Sequence, residues 1–164
     1  MKKPRNAVAF GGIFAALALV LMCMGTLIPF ATYACPVLCM LLLLIVKITC
    51  GTRTAWTWYI AVALLAMLLG PDKEAALLFV LLGYYPIVKP WFDRAFLGVL
   101  WKTLLFNVLM ILMYGVLARV FGIEDVADLQ QPAGVVILII TLLLGNLTFF
   151  LLDRLLTILP RRFR

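Results

Sequence analysis

Residues 66 to 86 read AMLLGPDKEAALLFVLLGYYP, and they hold the chain's most concentrated group of chemically capable side chains: Asp72, Lys73 and Glu74 in a row, set in hydrocarbon. An ammonium between two carboxylates can hold an anionic or zwitterionic ligand. The same three residues also suit a turn. Pro71 stops one helix, Asp72 is a good N-cap for the next, and Glu74 falls in its first turn, where the helix dipole favours negative charge. The turn accounts for both acids but does not require Lys73.

Other reactive groups are sparse. The chain has no His and no Ser, which removes the commonest general base and one common nucleophile. Cys35 and Cys39 are four apart and share a helix face, but Cys23, Cys35, Cys39 and Cys50 all lie in or beside apolar segments. They read as small buried hydrophobes, so no metal site is expected. No carboxylate falls inside an apolar run, no phosphate-binding loop follows a strand, and no interrupted helix is evident in the pattern. The chain is therefore not expected to be an enzyme or a self-sufficient pump, and no cofactor is expected.

The elements that must position these residues follow from composition. Of 164 residues, 66% are hydrophobic and 13% charged, against about 45–50% and about 25% in a soluble domain. One small core cannot hold that apolar surface, so lipid must cover it. The expected architecture is all-α, a polytopic membrane bundle forming one domain over residues 1 to 164. Six spans are expected, at about residues 7–28, 34–48, 54–69, 73–88, 102–121 and 133–152. The first run is too long for a signal-peptide core, so it is read as a retained helix. Residues 90 to 102, PWFDRAFLGVLWK, suit either an interfacial helix or an early start of the fifth span.

Charge placement orients the bundle. With the N-terminus inside, the inner ends collect Lys2, Lys3, Arg5, Lys47, Arg53, Lys89, Arg94, Lys102, Arg154, Arg161, Arg162 and Arg164, leaving only Lys73 and Arg119 outside. Five acids (Asp72, Glu74, Glu124, Asp125 and Asp128) fall outside. Cytoplasmic loops carry the Lys/Arg excess, so both termini are expected in the cytoplasm of a cell whose plasma membrane holds the chain. The net charge of +7 then reflects membrane orientation, and no nucleic-acid partner is expected.

Four further features stand out. The connection between spans one and two is uncharged and carries Phe30, Thr32 and Tyr33, which suits a lid over an apolar pocket or an interfacial anchor. Span one carries small residues at helical spacing, Ala7, Gly11 and Ala15 in one row and Gly12 and Ala16 in another. Such rows admit a close helix, from within the chain or from a partner. Asn107 and Asn146 are rare polar groups inside spans, and mutual pairing of spans five and six is the simplest expectation. Tyr84 and Tyr85 read as belt residues.

The six short spans, with a first helix reading GGIFAALALVLMCMGTLIP, resemble the substrate-binding S-components of energy-coupling factor transporters. The resemblance implies a six-helix fold that binds a small organic nutrient and depends on a transmembrane coupling subunit and ATPases. It would make Ala7, Gly11, Gly12, Ala15 and Ala16 the docking strip, residues 29 to 33 the lid, and Asp72 to Glu74 the pocket rim. The same topology also resembles the rod-shape-determining scaffold proteins of the cell envelope, which transport nothing. A permease acting as its own oligomer is the third reading.

Overall fold

The computed structural model describes residues 7–24, 31–93, 98–120 and 132–162. These are helical almost throughout, with no strand among them: α1 (Ala7–Met24), α2 (Ala31–Cys50), α3 (Thr52–Leu69), α4 (Lys73–Leu82), α5 (Tyr85–Phe92), α6 (Gly98–Val120) and α7 (Pro132–Arg162). Phe30, the basic residues Lys2, Lys3, Arg5, Arg94 and Arg164, and the acids Glu124, Asp125 and Asp128 lie outside the described residues. Among those described, five stretches are long and apolar enough to cross a membrane: Ala7–Met24, Thr32–Cys50, Thr52–Leu69, Lys73–Phe92 and Gly98–Val116.

The helix boundaries depart from the apolar runs at α2, in the fourth span, at α6 and at α7. α2 takes in Ala31 to Tyr33 and carries Pro36 inside it, reaching 20 residues. Only one residue, Gly51, separates α2 from α3, and its φ of 92° lies where side-chain-bearing residues are strained. The fourth span is not continuous: α4 ends at Leu82 and α5 begins at Tyr85, because Pro86 has no N–H to give the preceding turn. The interrupted helix that the hydrophobic pattern hid is therefore present. α6 begins at Gly98, ahead of the apolar run, and α7 runs to Arg162, well past it.

The chain divides into two compact units, residues 1–93 and 94–164. In the first, α2 is the central rod and packs against α1, α3, α4 and α5. Its buried side chains include Cys35, Cys39, Met40, Leu43, Val46 and Cys50, so these three cysteines are core residues. α1 turns Gly11, Ala18 and Met22 inward and leaves Val8, Ile13, Leu17 and Val20 exposed. α3 buries Ala55, Trp58, Val62 and Ala66, a 3–4 spacing that makes one inward stripe. The small residues along it admit neighbours closely.

In the second unit α6 and α7 pair antiparallel. Three rungs cross between them: Lys102 with Asp153 at 3.3 Å, Phe106 stacked on Phe149 with centroids 4.7 Å apart, and Asn107 with Asn146. Every buried side-chain nitrogen or oxygen among the described residues has a hydrogen-bond partner, as an apolar surrounding demands.

Candidate functional site

The Asp72–Glu74 turn joins three helix ends of the first unit. Asp72 is the N-cap of α4, its carboxylate accepting the Ala75 N–H at 3.0 Å. Lys73 reaches back instead of outward. Its ammonium donates to the Met67 and Gly70 carbonyls, both at 2.9 Å, in and just past the last turn of α3. Those carbonyls have no partner within their own helix, and a cation there also meets the negative end of the dipole. Two of the three ammonium protons are thereby committed to the backbone.

Glu74 does something different. Tyr33 at the start of α2 donates its hydroxyl to the Glu74 carboxylate at 2.6 Å, across 41 residues of chain. An O–H bonded to an ionised acceptor is among the stronger hydrogen bonds. The candidate lid and the candidate rim therefore meet through Tyr33 and Glu74, while Thr32 sits half-buried one residue away. Phe30 falls outside the described residues. What this end offers a ligand is chiefly acceptors, the carboxylates of Glu74 and Asp72, with the cation turned toward α3.

The small-residue rows of α1 divide between two surroundings. Gly11 is buried, and its carbonyl accepts the Trp58 indole N–H at 3.0 Å, so this side of α1 is spent on α3. Ala7 and Ala15 are half-buried. Gly12 and Ala16 are exposed, and a Cβ placed on Gly12 would meet nothing within 4 Å. The first row thus packs in part within the chain, and the second is open.

Asn107 and Asn146 form a closed amide pair, each side-chain nitrogen donating to the other's oxygen at 3.1 and 3.0 Å. Asn107 also donates to the Thr103 carbonyl at 2.8 Å. We expect a double-mutant cycle with alanine at both positions to return a coupling of about 0.6–2 kcal/mol. It is read from unfolding midpoints in detergent, and strictly additive single losses would rule the pair out as a stabilising contact.

A second polar cluster lies at the α4–α5 break, and the apolar pattern gave no notice of it. Tyr59 donates its hydroxyl to the Val80 carbonyl and packs edge-on against Tyr84, centroids 6.1 Å apart. Lys47 donates to the Pro86 carbonyl at 2.9 Å and the Ile87 carbonyl at 3.3 Å. Tyr85 is 1% exposed, a core residue and not the belt residue expected. The signal was present in GYYPIVKP: two prolines four apart leave carbonyls that need donors from elsewhere. No family model matches the chain, and neither a curated protein nor a solved structure is significantly similar to it.

Proposed function

We propose that the chain is the membrane-embedded substrate-binding subunit of an uptake system for a small organic nutrient, of the S-component kind, with six spans and both termini in the cytoplasm of a plasma membrane. It would depend on a coupling subunit and ATPases for energy. The observation that carries this reading is the Tyr33–Glu74 bond, which ties the end of the α1–α2 connection to the α3–α4 turn. A lid and a rim joined by a hydrogen bond at the exposed surface can exchange that bond for one to water or to a ligand. The open Gly12 and Ala16 positions on α1 supply a second support, a surface on which a partner helix can approach closely.

The experiment is purification of the chain from its native membrane. A bound small organic molecule and co-purifying ATPases are expected, and recovery with neither would end this reading. Gly12→Leu with Ala16→Leu should leave the melting temperature within a few degrees of wild type while abolishing co-purification, because leucines there fill only open space.

The scaffold reading is favoured by one observation, the commitment of Lys73 to α3 carbonyls. A rim whose cation serves the backbone is poorly equipped for an anionic nutrient. Lys73→Met separates the two readings. Loss of uptake with a folded chain assigns the ammonium to a ligand, whereas co-purification with envelope-synthesis proteins, unchanged by the substitution, assigns the chain to a scaffold.

A further inference from the structure

The helical hydrogen-bond ladder of the fourth span is interrupted at Gly83 and Tyr84, whose backbone stays in the right-handed helical region. Side chains from other helices serve carbonyls on both sides of the interruption. On the α4 side, the Gly83 N–H donates to the Phe79 carbonyl at 2.7 Å. The next carbonyl along, Val80, takes the Tyr59 hydroxyl from α3. On the α5 side, the Pro86 carbonyl would receive the N–H of residue 90 in an unbroken helix, but residue 90 is proline and has none. Lys47 of α2 supplies the missing donor, and its ammonium reaches the Ile87 carbonyl as well. An acceptor at this depth costs free energy when it has no donor.

We propose that the α4–α5 break is a pivot, with Lys47 as the strap that sets the angle of α5. Tyr59 anchors the stationary side. α4 is buried on all sides, from Ala75 to Phe79 and at Leu82, so it cannot readily move. α5 is eight residues long; Tyr85, Pro86, Ile87 and Lys89 on it are buried, while Pro90 and Trp91 at its far end are exposed. With the strap engaged, the α5 backbone is fixed against α2. With the strap released, the first turn stays packed through Tyr85, Pro86 and Ile87 while the helix opens more readily toward its exposed end at Pro90 and Trp91. The bond is built to be exchangeable, because an ammonium on a flexible stem substitutes for a rigid backbone N–H.

Hydrogen exchange on the full chain in lipid nanodiscs tests this. Lys47→Met is expected to speed exchange of the amides at Ile87, Val88, Lys89, Trp91 and Phe92 by about tenfold, the loss of one charge-assisted bond. The amides of α4 should keep their wild-type rates. Pro90→Ala restores the N–H that the Pro86 carbonyl lacks, so in that background Lys47→Met should change the α5 rates by no more than about twofold. Unchanged α5 exchange in Lys47→Met, equal acceleration throughout residues 31–93, or undiminished acceleration in the Pro90→Ala background would each overturn the strap. If Lys47→Met alone fails to fold, recovery of folded protein in the double variant supports the proposal, and failure of both variants overturns it.

Discussion

Asp153→Ala is expected to destabilise the α6–α7 pair by about 1–3 kcal/mol, less than at a fully buried ion pair because the Asp153 carboxylate is partly exposed. The Lys102 ammonium is placed 3.3 Å from both carboxylate oxygens of Asp153, and Lys102 is only 6% exposed. Bringing that charge out of water is tolerable while a carboxylate faces it, and removal of the carboxylate leaves the desolvation cost in place. Replacing both residues, Lys102→Met with Asp153→Leu, removes cost and gain together and should lose far less than Asp153→Ala alone. Unfolding midpoints in detergent give the comparison. A near-neutral Asp153→Ala would mean that the pair holds nothing together.

Gly83→Ala should cost about 1–3 kcal/mol, although it adds a single methyl group. That methyl would lie 2.3 Å from the Phe79 carbonyl oxygen and 2.9 Å from the Phe79 ring. The oxygen belongs to the backbone of a fully packed helix and cannot swing aside as a side-chain tip would. Gly12→Ala is the matched control. Nothing lies within 4 Å of its added methyl, and alanine favours a helix interior over glycine by about 0.5–1 kcal/mol, so this variant should be neutral or more stable. Thermal melts of the two variants in the same detergent decide the matter, and equal losses would mean that the break does not depend on close approach at Gly83.

The end of α3 at Leu69 could be read from the sequence because Gly70 and Pro71 follow an apolar run, a strictly local signal, and its start was placed within two residues. The division of the fourth span into α4 and α5 was not read. The role of Asp72 was local too, since a cap needs only the three residues after it. Asn107 and Asn146 could be matched because polar amides inside apolar runs have few alternatives. Lys73 was ambiguous from sequence, because what decides its partner is how close the end of α3 comes to the turn. Lys47 and Tyr59 were not legible as a cluster. Their acceptors lie 39 and 21 residues away, and although the proline spacing marks the Pro86 carbonyl as bare, it does not report which distant side chain reaches it. The split of the α1 rows, Gly11 inward and Gly12 outward, likewise depends on where Trp58 stands, which α1 alone does not encode.

The rods of this chain differ in length, and that has a consequence for the lipid around them. α3 has 18 residues, a rise of about 27 Å, and glycine closes it at both ends, so it cannot extend by winding further. α7 has 31 residues, about 46 Å, well beyond the roughly 30 Å of hydrocarbon in a typical bilayer. In a bilayer the first would favour a slightly thinner hydrocarbon layer, at a cost of fractions of a kcal/mol per ångström of mismatch. The second would carry its last turns, from Asp153 and Arg154 to Arg161 and Arg162, beyond its apolar run and out of the hydrocarbon. Bilayer thickness would thus bear on α3, whose length is capped, more than on α7, whose surplus carries charge at both ends.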